Sequence, residues 1–127
     1  MKKNRLLSLF LALVMLFGVA SALGGSAMAA DVAINSTKFP DANFREHVNE
    51  YDTNNNGNLS AAELAAVTRM RCSKSNIADL KGIEHFTALT YLNCRDNKLT
   101  SLDLSANTAL TELWCYGNKL TSLDVIR

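Results

Sequence analysis

The sequence predicts an α/β solenoid: a short array of stacked coils with parallel β-strands along one side, preceded by a helix–loop–helix cap. Two observations carry this expectation. Residues 87–107 read TALTYLNCRDNKLTSLDLSAN, and residues 108–127 repeat them as TALTELWCYGNKLTSLDVIR. The offset of 21 residues puts Leu89 on Leu110, Leu92 on Leu113, Cys94 on Cys115, Asn97 on Asn118, Leu99 on Leu120 and Leu102 on Leu123. A self-match with a period in the twenties marks a solenoid. The second observation is Asp52–Glu63, DTNNNGNLSAAE, an oxygen-rich loop between two stretches with helical spacing.

The spacing within a coil has a direct physical reading. Leu92 and Cys94 are two apart and share one side of a short strand, while Tyr91, Asn93 and Arg95 take the other. Asn97 suits the sharp turn that follows, because its amide can satisfy backbone groups the turn leaves unpaired. Leu99, Leu102 and Leu104 point inward on the return. One coil cannot bury its own apolar face, but stacked coils can. A degenerate earlier coil contributes Val67, Met70, Cys72, Ile77 and Leu80, each 22 residues before its counterpart, with Ser75 at the turn and Phe86 closing the coil. The pattern L-x-x-L-x-C-x-x-N-x-L is that of leucine-rich repeats, with Cys at the third apolar position. Over roughly Val67–Arg127 the chain resembles bacterial, internalin-like leucine-rich-repeat proteins of the cell surface. The resemblance implies strands on a concave face and contacts there with protein or glycan partners.

Ahead of the repeats, residues 1–29 read as a secretory signal peptide. Lys2, Lys3 and Arg5 form a basic start, Leu6–Val19 is nearly all apolar, and Ala27-Met28-Ala29 fits peptidase cleavage after Ala29. The apolar run is short for a membrane span. The whole chain of 127 residues carries a formal charge of +1. Removing the leader makes the remainder mildly acidic, and no basic patch favours nucleic acid. A secreted or cell-surface location follows from the leader.

Residues 30–38 lack periodicity and are expected to be a loose N-terminus. A cap is expected over residues 39–68. Asp41 can cap a helix with Phe44, Val48 and Tyr51 on its apolar face. Numbered as a twelve-residue loop, Asp52, Asn54, Asn56, the Asn58 carbonyl, Ser60 and Glu63 fall at calcium-ligand positions 1, 3, 5, 7, 9 and 12, with Gly57 at the sharp bend. The segment resembles an EF-hand, which implies a Ca2+ site. With only Asp52 and Glu63 charged, its affinity should lie near the weak extracellular range, roughly 10⁻⁴–10⁻³ M. Ser60-Ala61-Ala62-Glu63 is also a capping box, which needs no metal. The following helix, Ser60–Thr68, should cover the open end of the first coil.

Cys72, Cys94 and Cys115 recur at one coil position. They are expected to form a stacked row of reduced, buried thiols, since side chains pointing the same way on neighbouring parallel strands suit a bridge poorly. His47 and His85 look isolated, with His47 on the solvated side of its helix, and no Gly-x-Ser-x-Gly elbow is present. No catalysis is expected in this chain. The candidate partner-binding residues are the strand positions turned away from the core: Arg69, Arg71, Tyr91, Asn93, Arg95, Glu112, Trp114 and Tyr116. Aromatic and Arg side chains are enriched at interface hot spots. The sequence reading is therefore a secreted or surface binding module, expected to be part of a longer protein. Alternatives are a calcium-dependent docking module and the targeting arm of an enzyme encoded further along.

Overall fold

The structure, a computed structural model, describes residues 30–124. The signal-peptide reading of residues 1–29 lies outside the described residues. In chain order the elements are β1 (Val32–Ala33), α1 (Ala42–Asn49), β2 (Asn58–Leu59), α2 (Ala61–Ala66), β3 (Arg69–Arg71), a 3-10 turn (Ile83–His85), β4 (Tyr91–Asn93), β5 (Ser101–Asp103), β6 (Glu112–Trp114) and β7 (Ser122–Asp124).

Helix α1 forms where its spacing places it. Asp41 is the N-cap, accepting from the Phe44 N–H at 2.9 Å, and Phe44 and Val48 are buried. The helix stops at Asn49, short of the expected Tyr51. The Tyr51 ring still faces the core, edge-on to Phe86 at 5.8 Å between centroids. Asp41 also acts at long range: its second oxygen accepts from the Ala78 N–H at 2.8 Å. Asn43 donates to the Asn76 carbonyl at 3.1 Å, so the start of α1 is fastened to the first coil. Replacing Asp41 by alanine removes a cap and this fastening together. The expected cost is about 1–2 kcal/mol, read as a lower thermal midpoint; an unchanged midpoint would show that water replaces both bonds at no cost.

Residues 30–38, expected to be loose, carry an ordered strand instead. β1 pairs antiparallel with β2, Val32 opposite Leu59, and the Ile34 N–H donates to the Gly57 carbonyl at 2.9 Å. A two-residue strand has no period to read, so only its partner makes it visible. Leu59, a member of this ladder, is fully buried.

The repeats stack as expected. β3, β4 and β6 form a parallel sheet in register, Met70 beside Leu92 beside Leu113, and β5 and β7 form a second parallel ladder on the return arm. Met70, Cys72, Ile77, Leu89, Leu92, Cys94 and Leu99 are fully buried between the arms. The core continues without a break into the cap through Phe39, Phe44, Phe86 and Leu59. Each large apolar side chain buried this way contributes roughly 1.5–3 kcal/mol.

Polar side chains set the vertical spacing. The Asn97 oxygen accepts from the Ser75 and Ile77 N–H groups, both at 3.0 Å, while its amide donates to the Cys72, Cys94 and Arg95 carbonyls at 2.8, 2.9 and 3.2 Å. Asn97 therefore bridges two coils, a wider role than satisfying its own turn. Asn118 repeats the arrangement one coil on, donating to the Cys94 and Cys115 carbonyls and accepting from Leu99. Threonines form a second column: the Thr90 hydroxyl donates to the Thr68 carbonyl at 3.0 Å and the Thr111 hydroxyl to the Thr90 carbonyl at 3.1 Å.

Candidate functional site

The β3–β4–β6 sheet brings the predicted binding residues into rows. Register places Arg69, Tyr91 and Glu112 side by side, and Arg71, Asn93 and Trp114 in the next row. Arg95 and Tyr116 follow just beyond β4 and β6, aligned by the Asp96 N–H donating to the Tyr116 carbonyl at 2.9 Å. The aromatic rings run on from one another: Tyr91 lies 6.4 Å from Trp114, which lies 6.5 Å from Tyr116.

Two members differ from the expectation. Tyr91 and Asn93 are buried, 7% and 6% exposed. They occupy the central strand, and the guanidinium of Arg69 lies 3.9 Å from the Tyr91 ring centroid, with that of Arg71 at 5.3 Å. Tyr91 thus serves as a platform beneath two cations, favourable through its ring quadrupole. The accessible aromatic surface is Trp114, 40% exposed, and Tyr116, 60% exposed. The Trp114 indole N–H donates to Glu112 at 3.0 Å, which fixes both side chains. Arg95 pairs with Asp96 at 3.4 Å and lies 6.0 Å from the Tyr116 ring.

The loop has the predicted bend at Gly57, where φ is +81°. Asp52 closes it, accepting from the Gly57 N–H at 2.7 Å and the Asn56 N–H at 3.2 Å. The Asn54 and Asn56 side-chain oxygens accept from the Asn56 and Asn58 N–H groups. Glu63 is more fully occupied. One oxygen accepts from the Thr53 N–H and hydroxyl at 2.7 and 2.8 Å, the other from the Ser60 N–H and hydroxyl, both at 2.9 Å. A carboxylate offers about four acceptor directions, and these four bonds fill them. A cation with Glu63 as bidentate ligand would have to exchange the clasp between Thr53 and Ser60 for metal bonds. Ser60 and Glu63 form the reciprocal capping box of α2.

These bonds hold the Glu63 carboxyl down to about 2, led by the Ser60 N–H and the Thr53 hydroxyl. The ordinary value of 4.5 is the higher, so the stabilisation is present in full above it and is lost as pH falls from about 4.5 through about 2. Glu63→Gln should melt lower than the unaltered chain at pH 7, with the gap closing in melts run toward pH 2. A gap independent of pH would show that the charge has no part in the clasp.

His47 is less solvated than the helix spacing implied. Its Nε2 lies 2.9 Å from the Ser75 hydroxyl, and its Nδ1 lies 3.3 Å from Glu50. The Ser75 hydroxyl donates to the Ser73 carbonyl at 3.0 Å. The contact ties α1 to the first turn of the repeats. Spacing on α1 could not reveal it, since the partner lies 28 residues away.

The cysteines keep their column. Cys72 and Cys94 are buried, Cys115 is half-buried, and all three are free thiols. Burial pushes Cys72 and Cys94 up to about 12 and raises Cys115 as well, so all three stay protonated at neutral pH. Among the described residues no group of three or more His, Cys, Asp or Glu side chains is placed to hold a metal ion. No helix among them is long and apolar enough to cross a membrane.

The recurring coils, stacked parallel strands and asparagine bridges define leucine-rich repeats, and residues 87–127 match the family described as leucine-rich repeats (2 copies). The chain is similar to internalins of Listeria monocytogenes. It is 48% identical over 70 residues to internalin J of Listeria monocytogenes, a match covering 54% of this chain and 8% of that protein. Among solved structures, the functional domain of internalin J, which includes a cysteine ladder, matches with a TM-score of 0.63 and 32% identity, covering 79% of this chain and 26% of that one. An internalin of the same species, InlF, matches with a TM-score of 0.61 and 26% identity, covering 74% of this chain and 32% of that one. The chain thus spans a small part of the curated relative and about a quarter of the first solved domain.

Proposed function

We propose that this chain is a secreted or cell-surface binding module that engages a protein partner through the face carrying Arg69, Arg71, Trp114 and Tyr116. The observation that carries this reading is the exposed pair Trp114 and Tyr116, continuous with two guanidiniums on a sheet whose other face is core. Large rigid aromatics lose little entropy when a partner covers them, and with Arg they supply most hot spots. The likeness to internalins and the leader-like residues 1–29 support the location. The column Cys72, Cys94, Cys115 is read here as a short counterpart of the cysteine ladder, filling the space between strands as small apolar groups.

The test is a peptide library displayed on phage and selected against the full chain. Binding lost on Trp114→Ala or Tyr116→Ala, with an unchanged melting midpoint, supports the face. Binders indifferent to both substitutions sink it.

The Asp52–Glu63 loop is read as a structural clasp that holds the cap over the first coil. The four filled positions of Glu63 support this over a calcium-dependent docking role. Adding about 2 mM calcium, above the weak extracellular range, should leave the melting midpoint within about 1 °C of that in chelator. A larger rise, abolished by changing Asp52, would make the loop a metal site.

A further inference from the structure

Between the cap and the first coil runs a groove of about 450 Å³. Its apolar lining is Ala62, Ala66, Val67 and Tyr51; Arg69 borders it, as do the carboxylates Glu50 and Glu63. Ala62 and Ala66 are one helical turn apart on α2, so two small side chains leave the same stretch of helix surface bare. Arg69 is shared: it borders this groove and also lies over Tyr91 on the sheet. The groove is therefore continuous with the proposed binding face.

The electrostatics at that junction are lopsided. Arg69 and Arg71 sit over the same ring, yet among the described residues neither has a carboxylate within 4.0 Å. Glu112 holds the Trp114 indole and Glu63 is filled by Thr53 and Ser60, while Glu50 stays largely exposed beside His47. Two like charges crowded over one ring, with their N–H edges open, form a site for an anion, and a carboxylate would accept from both.

We infer that the partner is an extended acidic peptide segment, with a carboxylate on the Arg69–Arg71 pair and a neighbouring apolar side chain in the Ala62–Ala66–Val67 groove. The inference rests on the binding reading above and makes the cap part of the recognition surface. A peptide matches both halves, whereas an acidic sugar would satisfy the guanidiniums and leave the apolar groove facing hydroxyls. Such a contact is also sensitive to salt, because the Arg pair is exposed.

The experiment extends the phage selection on the full chain to two further variants, Arg69→Ala with Arg71→Ala, and Ala66→Phe. Ala62→Phe replaces the second if Ala66→Phe fails to fold. The expected peptides carry Asp or Glu beside Leu, Ile or Phe. Their synthetic versions should bind at least about tenfold more weakly to the double Arg variant and about fivefold more weakly to the groove-filled variant. Peptides that depend on Trp114 but not on either variant overturn this inference and leave the binding face standing. Peptides that depend on the Arg pair alone also overturn it, since the groove then has no occupant. An acidic glycan that binds on an array and needs the Arg pair but tolerates the filled groove assigns the site to sugars. Selection yielding no peptide sensitive to Trp114 or Tyr116 removes the face itself and the inference with it.

Discussion

Asn97→Ala should destabilise the repeats more than any other single polar substitution considered. The substitution removes five hydrogen bonds at once, leaving the Ser75 and Ile77 N–H groups and the Cys72 carbonyl without this partner, while the Cys94 carbonyl keeps Asn118. Asn97 is 8% exposed, so little water can enter to replace it. A buried polar group left unsatisfied costs about 1–3 kcal/mol. Several such groups give about 3–5 kcal/mol, a large share of the stability of a small domain. The midpoint in a circular-dichroism melt should fall by at least about 15 °C. Asn118→Ala, the same change one coil later, should cost about 1–2 kcal/mol, because water reaches that half-buried side chain. Equal losses at the two positions would show that burial does not set the cost.

Gly82→Ala is the second large effect. Gly82 has φ +107°, a conformation that side chains disfavour, and an added Cβ would overlap the Phe39 ring and lie 2.8 Å from the Lys38 carbonyl oxygen. Phe39 cannot move aside, being fully buried against Phe44, Phe86 and His85. Strained backbone and overpacking together cost about 3–5 kcal/mol. Phe39→Ala should cost a similar amount by opening a cavity. The double variant should lose less than the sum, since the two sites touch. Additive losses in chemical denaturation would show that residue 82 and Phe39 do not meet, and that the cap is not seated as described.

The calcium motif shows how one set of residues can carry two readings. Asp52, Gly57 and Glu63 stand at the expected positions, and the bend at Gly57 forms. Yet a loop motif and a capping box share Ser60 and Glu63, and the sequence cannot say which of the two uses the carboxylate. The fold adds a bond that spacing does not show: the Thr53 N–H and hydroxyl arrive at the other oxygen of Glu63, which supports the clasp.

What the sequence determined by itself was everything with a period. The 21-residue match placed β4 beside β6, and with the 22-residue offset before it put Cys72, Cys94 and Cys115 in one column and set the candidate binding residues in their rows. The Asp41 cap and the capping box at Ser60 were equally legible, since each acts within a few residues of itself. The tertiary structure alone decided the contacts that join distant segments. β1 pairs with β2 opposite Leu59, Asp41 reaches Ala78, His47 reaches Ser75, and Tyr91 is covered by two Arg side chains. The Asp41 and His47 contacts leave no spacing in the chain, because both depend on how the cap is seated on the first coil. That seating is fixed by the shared core of Phe39, Phe44 and Phe86, where packing, and not periodicity, selects the neighbours.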